Sequence, residues 1–167
     1  MSEKFVFSSY PQHRPLIELV FRHGGYIWGG YVRDLIAGDS PHDIDVAISD
    51  DYVQEFYAEL VSFGYEPGPD QHTWNHSGGL ISIDVIENDS EAHDQQLIDI
   101  GAPIDFDVNC LAYDGQYLFF WTGSTTDPLE IVEAIQRRVA TAVNPTPQRV
   151  TKMLGKGYTI NPAPVSE

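Results

Sequence analysis

The sequence predicts an α+β fold, with a small mixed or antiparallel sheet and helices flanking it. Two observations carry that expectation. Stretches with apolar residues at helical spacing alternate with short runs of β-branched and aromatic residues, and glycine or proline punctuates the junctions. Asp114-Gly115 then sits between two β-rich runs, which signals a hairpin and so at least one antiparallel pair. A chain of 167 residues, 42% hydrophobic and 12% aromatic, is long enough to bury a core.

In chain order, Pro11 to His23 reads as a helix, with Leu16, Leu19 and Val20 on one face and Gly24-Gly25 as its stop. Tyr26-Ile27-Trp28 is a short strand. Gly30 to Ile36 is a short helix closed by Gly38, and Asp43 to Ile48 is a second strand. Asp50 or Asp51 is expected to cap the next helix, which runs to about Phe63 and carries Val53, Phe56, Tyr57 and Leu60 on one face. Residues 71–76 form a short strand and Leu80 to Ile86 a better one. Residues 87–103, acidic and polar, read as a loop around an ambiguous Gln95–Ile100 segment. Phe106 to Tyr113 and Tyr117 to Trp121 are the two hairpin strands. Asp127-Pro128 opens a helix expected to reach about Ala142, and Pro147 to Gly155 forms a last one. Residues 161–167, rich in proline, read as a loose tail.

The charge is lopsided. There are 25 acidic and 9 basic residues, a net of −16. No Lys or Arg lies between Arg33 and Arg137, a span that holds 22 of the acids. Such a surface repels phosphate backbones, so broad nucleic-acid binding is disfavoured unless metal ions or the C-terminal bases bring the substrate in. No apolar run reaches the roughly 18 residues of a membrane helix, and no secretory signal opens the chain. The single cysteine, Cys110, fits a reducing cytoplasm and a small core position.

The chemistry concentrates in Gly29-Gly30-Tyr31-Val32-Arg33-Asp34 and the later Asp43-Ile44-Asp45. Residues i and i+2 of a strand share a face, so Asp43 and Asp45 stand side by side while Ile44, Val46 and Ile48 point to the core. Two neighbouring carboxylates repel unless a hard cation takes their oxygens. Asp84, an acid in the β-rich run Ser82-Ile83-Asp84-Val85-Ile86, is the candidate third ligand. A pair of Mg²⁺ ions about 3.5–4 Å apart on such carboxylates can clamp the attacking and leaving oxygens of a phosphoryl displacement. Gly29 and Gly30 allow close backbone approach, and the helix after them turns its N–H groups towards an anion. Arg33 is expected either to add a phosphate contact or to pair with its neighbour Asp34. His72 and His76 are four apart, but their surroundings read as strand and turn rather than as a helical zinc site. Trp28 and Trp121 read as packing residues, with stacking on a base as the other use.

These motifs resemble the nucleotidyltransferase head domain of bacterial CCA-adding enzymes and poly(A) polymerases, in the DNA polymerase β superfamily. The family pattern G-G-x-V-R-D-x-L-x-G, a short spacer and D-x-D is matched at residues 29–45. The later segment Asp105-Phe106-Asp107-Val108-Asn109-Cys110-Leu111-Ala112-Tyr113 is similar to the family's R-R-D-F-x-x-N-A-x-A-Y. The resemblance spans roughly residues 24–160. It implies a polymerase β-like nucleotidyltransferase fold, a head domain over residues 1–160 with its core at about 24–142, and a truncated neck-like helix at about 147–157. It also implies metal ligation and catalysis by Asp43, Asp45 and Asp84, and triphosphate seating by Gly29, Gly30 and Arg33. Asn109 is implied near the ribose. The implied reaction joins an NMP from ATP or CTP to a hydroxyl, with an RNA or tRNA 3′ end as acceptor. A small-molecule or protein acceptor, and a non-catalytic nucleotide-binding module, are the alternatives. Two departures stand out. The family's paired arginines fall on Pro103 and Ile104, and its E-D-x-x-R element keeps only Arg149. The family's neck, body and tail, which bind tRNA, lie beyond the matched region, so a partner chain is one source of RNA-binding surface.

Overall fold

The computed structural model describes residues 2–4, 10–88, 104–120 and 127–162. The loop expected at 87–103 and the residue Trp121 therefore lie almost wholly outside the described residues. Eight strands form one sheet: β1 (Ser2–Lys4), β2 (Tyr26–Trp28), β3 (Asp43–Ser49), β4 (Tyr65–Pro67), β5 (Thr73–His76), β6 (Ser82–Asn88), β7 (Leu111–Tyr113) and β8 (Tyr117–Phe120). Their order is β1-β8-β7-β2-β3-β6-β5-β4. Only β3 and β6 run parallel; the other neighbours are antiparallel. The mixed sheet matches the expected class, with the edge strands β1 and β4 as additions the pattern did not signal.

Five helices accompany the sheet among the described residues: α1 (Arg14–Arg22), α2 (Gly30–Ala37), α3 (Val53–Ser62), α4 (Pro128–Arg137) and α5 (Pro147–Gly155). A parallel pair of short strands, β9 (Val139–Thr141) and β10 (Thr159–Asn161), holds the C-terminal segment to the end of α4. The sheet has two unlike faces. Ile27, Ile44, Val46, Ile83 and Val85 join the buried residues of the helices in the main core. The other face carries Tyr26, Ala47, Ala112 and Phe119, with Trp28 against them, and no helical residue. The helices thus cover one side, and β-strand alternation sends every second residue to the open one.

Several local expectations need correction. The start of α3 has Tyr52 at its N-cap with no side-chain bond, so neither Asp50 nor Asp51 caps it. The run from Phe106 is not all strand. Asp107–Asn109 is a 3₁₀ turn, held because the Asp107 carboxylate accepts from the Thr141 amide at 2.8 Å. Helix α4 stops at Arg137, and Val139–Thr141 becomes β9 instead of helix. Arg138 sits in the left-handed region at φ 54°, a conformation uncommon outside glycine. Its guanidinium grips Asp39 in two parallel bonds of 2.8 and 2.7 Å, which holds the bend in place. Asn161 lies in β10, not in the tail.

Candidate active site

The open face of the sheet delivers the three acids to one place. In register, Ala112, Trp28, Asp45, Asp84 and Thr73 are successive partners across β7, β2, β3, β6 and β5. Asp43 is two residues before Asp45 on the same face. One oxygen of each of Asp43, Asp45 and Asp84 can be chosen so that all lie within 4.8 Å of one another. No Lys, Arg or His forms an ion pair with any of the three among the described residues. Their mutual repulsion is therefore uncompensated by a direct salt bridge. Asp45 is pushed up to about 7, first by burial and then by the charges of Asp43 and Asp84. Asp84 is raised too, by burial and by Asp43, with a hydrogen bond from Thr73 partly offsetting the rise.

Beside the acids is a cavity of about 190 Å³ lined by Gly30, Arg33, Asp34, His42, Asp43, Asp45, Asp84, Arg149 and Lys152. Gly29 forms the turn before α2, at φ 68° and ψ −134°. A side chain there would be strained, and a Cβ would lie 3.6 Å from Asp45 Oδ2. The main chain thus passes beside the deepest carboxylate. No side chain caps α2, which leaves first-turn N–H groups available to an anion.

Arg33 has the pairing that its sequence neighbour allowed. Its Nε and an Nη donate to Asp34 Oδ1 at 3.0 and 2.8 Å. The other Nη donates to Asn109 Oδ1 at 2.6 Å and approaches Met153 Sδ at 3.5 Å. Asn109 in turn donates to Asp105 Oδ1 at 2.8 Å, and Arg149 Nε reaches Asp105 Oδ2 at 2.9 Å. Lys156 closes the other side, 3.3 Å from Asp34 Oδ2. Arg33 still lines the cavity, but it and Asn109 first serve to tie α2 to the segments behind it. Sequence reading missed His42 and Lys152 as lining residues. For Lys152, its place three residues after Arg149 on a helix was the available signal.

His72 and His76 do not come together on a helix. His76 ends β5 with Nε2 at 2.9 Å from the Phe63 carbonyl and Nδ1 accepting from the Gly78 amide. Cys110 is buried, and burial with the nearby Asp107 charge pushes its thiol up to about 12.

The strand order, the acidic triad on β3 and β6, and the glycine turn leading into α2 define a nucleotidyltransferase-type fold with an acidic centre. No family model matches the chain. Among curated proteins it is similar to the CCA-adding enzyme of Staphylococcus aureus, 26% identical over an alignment of 125 residues that covers 68% of this chain and 31% of the relative. Among solved structures, a CCA-adding enzyme in its apo form superposes with a TM-score of 0.60 at 21% identity, covering 92% of this chain and 40% of the other. The Thermotoga maritima CCA-adding enzyme in complex with tRNA superposes with a TM-score of 0.59 at 20% identity, again over 92% of this chain and 40% of that one. The chain therefore has the fold of the matching part of these enzymes, and it spans well under half their length.

Proposed function

We propose that this chain is the catalytic head, over residues 1–160, of a metal-dependent nucleotidyltransferase that moves an NMP from an NTP to the hydroxyl of an RNA or tRNA 3′ end. The observation that supports it most is the triad: three carboxylates within reach of one cation, beside a glycine turn and an uncapped helix start. The residues fit a divalent ion, because ionisation of Asp45 and Asp84 is resisted by burial and like charge and a cation would relieve both. Asp43 and Asp45 would hold Mg²⁺, and Asp84 would share it from β6. When bound, the ions supply charge neutralisation for an in-line displacement.

The protein groups then have distinct work. The turn at Gly29-Gly30 and the first amides of α2 receive phosphate oxygens. Arg33 adds positive charge behind them, held in place by Asp34 and Asn109. Asp84, towards the open side of the row, orients the acceptor hydroxyl and takes its proton. The hydroxyl oxygen bonds to the α-phosphorus, the bond to the bridging oxygen breaks, and pyrophosphate leaves. The CTP-, ATP- and tRNA-bound structures of similar CCA-adding enzymes support ATP or CTP as donor and tRNA as acceptor.

One observation favours a different acceptor. On the β5 side of Asp84, a second cavity is lined by His72, Thr73, Asp84, Val85, Ile86 and Glu87 and carries no Lys or Arg. That lining suits a small acceptor better than a phosphate backbone. Purified protein with Mg²⁺ and each α-labelled NTP, with and without tRNA, separates the two, beside an Asp43→Ala/Asp45→Ala control. Label on tRNA that the control loses is the expected result. Label on another molecule transfers the assignment to a small-molecule or protein acceptor, and no transfer with any partner added overturns the enzyme assignment.

A further inference from the structure

We infer that Lys152 is the principal side-chain ligand of the donor's triphosphate, presented by α5 from across the cavity. This rests on the nucleotidyltransferase assignment and goes beyond it, because the basic pair of the similar family is replaced here by Pro103 and Ile104. The triphosphate needs positive charge from somewhere, and the acid-rich span after Arg33 supplies none.

The geometry of α5 carries the inference. Arg149, Lys152 and Lys156 are spaced three and four residues apart, so they share one helix face. The two outer members are clipped down. Arg149 pairs with Asp105 at 2.9 Å, and Lys156 pairs with Asp34 at 3.3 Å. Both clips lead into the same network, since Asp105 accepts from Asn109 and both Asn109 and Asp34 accept from Arg33. Met153 adds a third tie, its sulfur 3.5 Å from Arg33. Between the clips Lys152 lines the cavity with the triad. Its side chain makes no hydrogen bond or ion pair among the described residues.

Of the three bases that line this cavity, Arg33 and Arg149 already have carboxylate partners. Lys152 alone has all three ammonium donors available there. Once the carboxylates bind cations, their pull on that ammonium weakens. The strongest anion left within reach is the β,γ-phosphate of a nucleotide seated at Gly29-Gly30. A lysine acts there as a point charge, adding affinity for phosphate without selecting a base.

The test is binding of α,β-methylene-ATP and of AMP with Mg²⁺, by calorimetry, to wild type, Lys152→Gln and Lys152→Arg. A lost charge-assisted contact lowers affinity about 10- to 100-fold. Lys152→Gln should lose that factor for the triphosphate analogue and keep its AMP affinity, and Lys152→Arg should recover most of it. Steady-state transfer should show the loss mainly in KM. Thermal melting of Lys152→Gln should match wild type, because its exposed side chain holds nothing in the fold. Equal triphosphate affinity in wild type and Lys152→Gln would overturn the inference while leaving the enzyme assignment standing. Failure of wild type to bind the analogue at all would overturn both.

Discussion

Asp45 and Asp84 are register partners on parallel neighbours, yet the two sides of that pair are built differently. Towards α2 and α5 the wall is a closed network: Arg149, Asp105, Asn109, Arg33, Asp34 and Lys156 alternate donor and acceptor, with Arg33 and Asp34 buried. Towards β5 the site opens into a cavity lined by His72, Thr73, Asp84, Val85, Ile86 and Glu87, with no Lys or Arg. One side is hydrogen-bonded throughout and supplies cations; the other is a cavity that supplies none. Under the proposed function, a donor with three phosphates belongs on the first side and the acceptor enters by the second. The single row of side chains across the sheet therefore has a direction.

Removing the row itself has the largest expected effect. Asp45→Ala should lower transfer by about 10³-fold or more, since several kcal/mol of charge stabilisation leave with the metal ligand. The readout is single-turnover rate at saturating NTP, and a rate within tenfold of wild type would break the assignment of the centre. Next comes the closed wall. Asp34→Asn strips a charge from a buried pair and should cost about 3 kcal/mol of stability, or roughly 6–12 °C in Tm for a chain of this size. Glu87→Gln, on the open wall, should stay within about 0.5 kcal/mol. Equal losses at the two positions in thermal melts would erase the contrast.

Asp45 should carry the larger part of the pH response, with Asp84 contributing in the same direction. Folding raises its pKa, so the native state holds its proton more tightly than the unfolded chain does. Stability of the metal-free protein should therefore fall as pH climbs from the ordinary carboxylate range through about 7, then level off. Melting in EDTA from pH 5 to 8 should show this fall in wild type relative to Asp45→Asn, and Mg²⁺ should reduce it. Parallel pH curves for the two proteins would remove the electrostatic case for a cation site. The smallest effect sharpens the acceptor question. Glu87→Lys puts a cation on the open wall, and if RNA passes there its log–log salt slope of binding should steepen by about 0.7.

The sequence made the row legible and the wall behind it illegible, for a physical reason. Asp43, Asp45 and Asp84 lie in strands, where a period of two fixes facing from local sequence alone. Gly29 advertised its turn through a backbone need that one residue type meets. Arg33 offered a local partner in Asp34, and that pair is present. Its bonds to Asn109 and Met153, and the bond from Lys156 to Asp34, close over separations of 76, 120 and 122 residues, which no periodicity encodes. The same holds where α4 ends early, because Arg138 is held bent by Asp39 far upstream. The segment Phe106 to Tyr113 reads as one strand, but Asp107 finds the Thr141 amide and turns the chain instead. Lys152 went unnoticed because a lone exposed lysine is ordinary until its helix neighbours are seen pinned on either side.

The most direct measurement is the loss of free Mn²⁺ signal by electron paramagnetic resonance, with α,β-methylene-ATP present, for wild type beside Asp43→Ala/Asp45→Ala. The triad predicts up to about two protein-bound ions in wild type and a near-complete loss in the double variant, corrected for metal held by nucleotide alone. Equal Mn²⁺ binding by the two proteins would contradict the assignment of Asp43 and Asp45 as the metal-holding centre.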